Sequence, residues 1–157
     1  MPVTELVEPA SLSAIRRLLL LLLVVFMAGT ATDLMLLDHH EDAWQIVPLA
    51  LLALGVASAA FAAASGGAAA VTLMRVVMAL FIGAGLLGLG LHFAGNSEFQ
   101  RELDPGLQGW SLFVKAVTAK APPALAPAAM IQMGLLGLLY TYRHPALRPP
   151  LLRDASL

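Results

Sequence analysis

Four apolar stretches of about 20 residues each limit what this chain can fold into. An α-helix needs about 20 residues to cross the roughly 30 Å hydrocarbon core of a bilayer. A helix also satisfies its own backbone polar groups there, which an irregular segment does not. Each stretch therefore predicts one transmembrane helix. The four predicted spans cover approximately residues 16–37, 40–64, 72–95 and 124–142.

Composition agrees with a membrane location. Hydrophobic residues make up 59% of the chain and charged residues 12%, whereas soluble domains carry about 25% charged residues. The 157 residues leave room for one transmembrane domain, 1–157, and for no separate soluble module. We therefore predict an all-α integral membrane protein, folded as an up-down four-helix bundle whose main partner is the lipid bilayer.

Charge and cysteine content exclude several other classes of function. The formal net charge is −1, which argues against nucleic acid as a partner because such binding rests on cationic contacts to phosphate. The chain has no cysteine, so disulfides, thiolate ligands and CxxC redox chemistry are excluded. It also has no P-loop, Rossmann glycine pattern, GxSxG elbow or zincin motif. The sequence therefore offers no catalytic residue.

The cations favour one side of the membrane. With four spans, six of them fall on the same side: Arg16, Arg17, Arg75, Arg143, Arg148 and Arg153. By the positive-inside rule that side is the cytoplasm. We therefore expect a multi-pass protein of the plasma membrane or bacterial inner membrane, with both termini cytoplasmic. The proline-containing segment 143–157 is predicted to be a flexible cytoplasmic tail.

The opposite, outer side collects acids and imidazoles. Its acids are Asp33, Asp38, Glu41, Asp42, Glu98, Glu102 and Asp104, and its histidines are His39, His40 and His92. Asp33 is the only acid well inside an apolar span, near its outer end, and ionisable side chains in such positions usually face the bundle interior. Imidazole and carboxylate groups together suit zinc, iron, manganese or copper.

This clustering predicts a metal site on the outer face. The candidate ligands are His39, His40, Glu41, His92, Glu98 and Glu102, with Asp33 and Asn96 as supporting groups or proton acceptors. Two alternatives stay open. These residues could be helix caps and solvated charges, or His92 could pair with His39 or His40 around a haem, for which no spacing motif is present.

Local signals predict the connections. Asp38 and Glu41 fit a capping box, which would begin the second helix near His39. In the long outer loop, 97–103 could form a short helix ended by Asp104-Pro105-Gly106. Beyond it, Trp110, Phe113, Val114 and Val117 follow helical spacing. They predict a short amphipathic extracytoplasmic helix between spans three and four, lying on the membrane surface or covering the bundle.

Small residues follow the faces of two spans. Gly55, Ala59 and Ala63 recur every four residues in span two, which allows another helix to approach closely. In span three, Gly85 and Gly88 share a face with His92. That face could be a helix-packing groove or could clear space for a flat ligand. Gln132, in span four, is predicted to be buried and hydrogen-bonded to a neighbouring helix.

Two functions are compatible with these features. The first is a metal-binding or metal-handling membrane protein that uses the outer His and carboxylate cluster. The second is a non-catalytic accessory or assembly subunit, which packs against a larger membrane complex, or against copies of itself, through its small-residue faces.

Overall fold

The computed structural model of this chain describes residues 10–120 and 123–148. These residues form helices and turns, with no strand among them. The α-helices are α1 (Ala10–Leu36), α2 (Ala43–Ser65), α3 (Ala68–Leu103), α4 (Gly109–Val117) and α5 (Ala128–Thr141), and a 3-10 turn follows at Pro145–Leu147. The predicted all-α class is confirmed. Of the predicted tail 143–157, residues 149–157, including Arg153, lie outside the described residues.

Three of the helices are long and apolar enough to cross a membrane. They are α1 with 27 residues, α2 with 23 and α3 with 36. The apolar α5 has 14 residues, about 21 Å at 1.5 Å per residue, because the chain between Pro123 and Pro127 forms turns before the helix begins. The protein thus has the helices of a membrane protein, but its fourth apolar segment is shorter than predicted.

The four apolar helices pack side by side. α1 contacts α2 and α5, while α3 contacts α2 and α5 in turn. The centre holds large side chains from three of the helices. Fully buried among them are Leu23, Met27, Leu52, Met74, Met78 and Phe81. A long flexible methionine fills irregular gaps well, so the three methionines help to pack the centre of the bundle.

Glycines bring α3 and α5 into close contact. A Cβ atom added at Gly85 would lie 2.6 Å from Ile131 Cγ1 and 2.9 Å from the Pro127 carbonyl oxygen. A Cβ at Gly88 would lie 2.8 Å from Pro127 Cβ. The face beside His92 is therefore filled by α5, and the helix-packing alternative is confirmed for these two glycines.

The small-residue face of α2 is also used inside the molecule. A Cβ added at Gly55 would lie 2.5 Å from Met27 Sδ and 2.7 Å from Phe81 Cζ. Ala59 and Ala62 are buried, whereas Ala63 is exposed. The contact face of α2 therefore includes Ala62 and not Ala63. It packs against α1 and α3.

The corner between α1 and α2 differs from the predicted capping box. Asp38 has φ of 53°, its N–H donates to Met35 O, and the N–H of His39 donates to Leu34 O. These bonds form a Schellman motif, which ends a helix with a residue in the left-handed region. Asp38 therefore closes α1 and does not cap α2, so that prediction was wrong.

The N-cap of α2 is Asp42, four residues later. Its side chain accepts a hydrogen bond of 2.9 Å from the N–H of Gln45, whose own side chain accepts one of 2.8 Å from the N–H of Glu41. The arrangement resembles a capping box that begins at Asp42, except that the return bond goes to the N–H of Glu41, one residue before the N-cap. The sequence offered two acids at suitable spacing, and the Schellman turn uses the first.

This assignment makes a stability prediction. Asp42→Ala should lower the free energy of unfolding by about 1 kcal/mol, the usual loss for an N-cap aspartate. Asp38→Gly should leave stability unchanged or raise it, since glycine adopts positive φ without steric cost. Thermal unfolding of the purified protein in one detergent measures both. Destabilisation by Asp38→Gly with a neutral Asp42→Ala would restore the original capping assignment.

The outer segment after span three is not a separate short helix. Residues 97–103 are the last turns of α3, which runs unbroken to Leu103. α4 packs on this extension through buried Leu112 and Ala116. The predicted helix is present, but much of its predicted apolar stripe is exposed, including Trp110 at 75% and Phe113 at 43%.

Arginine side chains join three helices at the other end of the bundle. Arg16 of α1 is buried and donates to the backbone oxygens of Tyr140, Tyr142 and Arg143. Arg75 of α3 donates to the Thr141 carbonyl at 2.8 Å. The last carbonyls of a helix lack intrahelical partners and carry negative partial charge. We call this group of contacts the arginine clamp.

Candidate functional site: a histidine pair at the outer end

The structure brings two of the predicted histidines together. His39 follows the Schellman turn after α1, and His92 lies near the outer part of α3. Their ring centroids are 6.4 Å apart with an interplanar angle of 54°. Both side chains are half-buried. Residues far apart in sequence thus place two imidazoles side by side at the end opposite the arginine clamp.

A hydrogen bond defines the protonation pattern of His92. Its Nδ1 lies 2.9 Å from the carbonyl oxygen of Pro123. A carbonyl oxygen only accepts hydrogen bonds, so Nδ1 carries the proton and donates it. In the neutral ring, Nε2 then carries the lone pair. Metal-binding histidines commonly use their second nitrogen in this way.

The spacing of the two rings is close to what a shared metal ion requires. With metal–nitrogen bonds of about 2.0–2.1 Å, two imidazoles on one ion have centroids about 5–6 Å apart. The observed 6.4 Å lies slightly beyond this range. The two rings would therefore have to move slightly closer to share one ion.

The other predicted ligands do not complete a cluster. Within 10–120 and 123–148, no group of three or more His, Asp or Glu side chains could hold a metal ion. His40 and Glu41 are exposed beside the pair. Asp33 is exposed as well, so it does not face the bundle interior as predicted. The described residues therefore supply two imidazoles, and water would complete the coordination of an ion.

Glu98 and Glu102 line a different feature. They border a groove of about 820 Å³ between the outer part of α3 and α4, together with Phe93, Arg101 and Phe113. Neither histidine of the pair lines this groove. Since Glu98 and Glu102 are one helical turn apart, they share a face of α3 that is separate from the histidine pair.

Asn96 makes a structural contact with α4. Its side chain is 2% exposed and donates a hydrogen bond of 3.2 Å to the carbonyl oxygen of Ala116. That carbonyl lies near the C-terminal end of α4. This hydrogen bond holds α4 against the outer part of α3.

Sequence reasoning did not find two contributors to this end of the molecule. Pro123 orients His92 through its backbone oxygen, and a backbone group leaves no signal in a residue pattern. The positive φ of Asp38, which precedes His39, was also missed. Helix-ending turns with a residue other than glycine at this position are uncommon, although aspartate tolerates it better than most residues.

Comparison with known proteins gives no match to this chain among family models, curated proteins or solved structures.

Proposed function

We propose that this chain is a multi-pass membrane protein that binds a divalent transition metal on its outer face, with His39 and His92 as the protein ligands. The proposal includes a fourth crossing by α5 and the turns before it, cytoplasmic termini and a plasma or bacterial inner membrane location. The observation that carries it is the pairing of the two imidazoles.

The hydrogen bond to Pro123 supports this role. A histidine whose Nδ1 donates to a backbone carbonyl is held in one tautomer, with its Nε2 ready to bind a metal. Imidazole ligands favour Cu(II) or Zn(II) over harder ions such as Mn(II). A half-buried site with two protein ligands suits transient binding and transfer of a metal rather than permanent structural retention.

Copper binding gives the direct test. Purified protein in detergent is titrated with Cu(II) and followed by electron paramagnetic resonance, where bound imidazole nitrogens split the signal. We expect one bound ion per chain, and at least about tenfold weaker binding for His39→Ala and for His92→Ala, as loss of a metal-site group typically costs 10- to 100-fold. Zinc competition then ranks the two metals.

His40→Ala is the matched control, because it removes an exposed imidazole next to His39 and should leave affinity unchanged. Equal losses in all three variants would point to nonspecific binding by surface histidines. No binding by well-folded protein would reject the metal proposal. An optical spectrum of the same sample tests the haem alternative.

One observation still supports the alternative of an accessory subunit. The small-residue faces that motivated it are largely filled internally, but α4 exposes Trp110 and Phe113, whose rings stack at 5.1 Å. Exposed aromatic patches are typical of contact surfaces. If α4 contacts another subunit, Trp110→Ser should abolish co-purification of a defined partner without lowering the thermal stability of the bundle.

A further inference from the structure

A groove runs between α1 and α5 along the side of the bundle. Its volume is about 360 Å³ and it is lined by Phe26, Thr30, Ala129, Gln132, Met133 and Leu136. At the adjoining turns, Leu23 Cδ2 lies 3.3 Å from the position of a Cβ on Gly137. The helices thus touch at Leu23 and leave an open apolar surface beyond it.

Each wall of this groove carries one polar side chain without a partner. Gln132 of α5 is exposed rather than buried, contrary to the sequence prediction. Thr30 of α1 is half-buried. Within the described part of the chain, neither side chain makes a hydrogen bond. By contrast, the Thr32 hydroxyl donates to the Ala28 carbonyl at 2.9 Å in its own helix.

The depth of Gln132 makes its exposure costly. It precedes Tyr140 by eight residues, which is about 12 Å along a helix, and the Tyr140 carbonyl belongs to the arginine clamp. Taking the arginine clamp as the inner edge of a hydrocarbon core of about 30 Å, the amide lies in the middle third of that core. Lipid chains offer it no hydrogen bond, and an unsatisfied amide in an apolar medium is strongly unfavourable.

We propose that this groove is the interface of a homodimer, in which a second copy supplies the missing hydrogen bonds. A primary amide both donates and accepts, so two Gln132 side chains related by a two-fold axis are complementary to each other. The same axis also brings the Gln132 of one copy towards the partner's Thr30, and the reverse. Such reciprocal pairing is the property of a two-fold interface.

The second copy fits better than other occupants for chemical reasons. The groove has no charged residue in its lining and is otherwise apolar, which suits another transmembrane helix. An acyl chain would match the apolar walls but leave both polar groups unsatisfied. Hydrogen bonds between membrane helices stabilise association, and the groove offers a donor and an acceptor on each copy.

The absence of cysteine makes the test clean. Ala129→Cys introduces one thiol into the groove, and Leu87→Cys introduces one on α3, where Leu87 is 50% exposed. In native membranes, a short bis-maleimide should join two copies of the Ala129→Cys chain and should not join copies of the Leu87→Cys chain. Mass spectrometry of the product should give twice the chain mass.

The amide itself is tested in the cross-linkable background. Adding Gln132→Leu to Ala129→Cys should weaken dimerisation by about threefold to thirtyfold, the range for interhelical hydrogen bonds. Energy transfer between labelled copies, at varied protein-to-detergent ratio, measures the change. Since Gln132 is exposed in one copy, Gln132→Leu should not lower the thermal unfolding temperature of the isolated chain.

Three outcomes would overturn the proposal. They are equal cross-linking at both cysteine positions, a product that contains a different protein or a lipid, and dimerisation unchanged by Gln132→Leu. Metal binding by His39 and His92 is measured separately, so the two proposals stand or fall independently.

Discussion

Replacing Arg16 with methionine is expected to lower the free energy of unfolding by about 2–4 kcal/mol, since hydrogen bonds to charged groups each contribute about 1.5–3 kcal/mol. Arg16 is 7% exposed and reaches the carbonyls of Tyr140, Tyr142 and Arg143. Methionine retains a long unbranched stem but cannot donate. The carbonyls at the end of α5 and just beyond it would lose the cation that satisfies them.

Arg17→Met is the matched control for this experiment. Arg17 is adjacent and exposed, and its removal changes the charge distribution across the membrane equally. Thermal unfolding in one detergent should therefore show a large loss for Arg16→Met and little change for Arg17→Met. Arg16→Lys should be intermediate, because an ammonium cannot reproduce the planar fork of a guanidinium. Similar losses of stability for both methionine variants would show that the contacts of the arginine clamp do not stabilise the fold specifically.

The second large effect is expected at Gly134. A Cβ there would lie 2.6 Å from Ile82 Cγ1 and 2.7 Å from the backbone oxygen of Met78. Because a backbone atom cannot rotate away, Gly134→Ala should force α3 and α5 apart. Overpacking of this kind destabilises by about 1–3 kcal/mol, and it should lower the unfolding temperature of the purified protein.

Gly83→Ala provides the comparison. A Cβ at Gly83 would have nothing within 4 Å, and both variants gain the same intrinsic helix propensity. Gly83→Ala should therefore be neutral, or stabilising by up to about 1 kcal/mol. If the two variants have the same stability, the close contact between α3 and α5 is not a determinant of the fold.

Hydrophobic patterning predicted the helices well because burial in lipid leaves a long and uniform signal. The first three spans and α4 appear near their predicted positions. The fourth was predicted too long, since residues 123–127 are mainly apolar but hold two prolines, and hydropathy does not register that they form turns. The start of α2 was misplaced because a choice between Asp38 and Asp42 depends on the turn that ends α1.

The sequence predicted which residues gather at the candidate site, but it did not predict how their side chains are arranged. Residue types and topology placed His39, His40 and His92 at the same end, and the choice of His39 over its neighbour depends on the direction that the turn imposes. In the sequence, Arg16 contributed only to the prediction of membrane orientation, through its positive charge. Its contacts with α5 depend on which face of α1 meets that helix, and this follows from packing between distant segments.

The unbroken course of α3 has a mechanical consequence. Its 36 residues make a rod of about 54 Å, much longer than the hydrocarbon core of about 30 Å. Taking Arg75 as the inner boundary, the final turns and the attached α4 project beyond the opposite surface. A thinner bilayer tilts a long apolar span further, and tilting of α3 would swing α4 sideways across the lipid headgroups. The height of the aromatic pair Trp110 and Phe113 should therefore vary with membrane thickness.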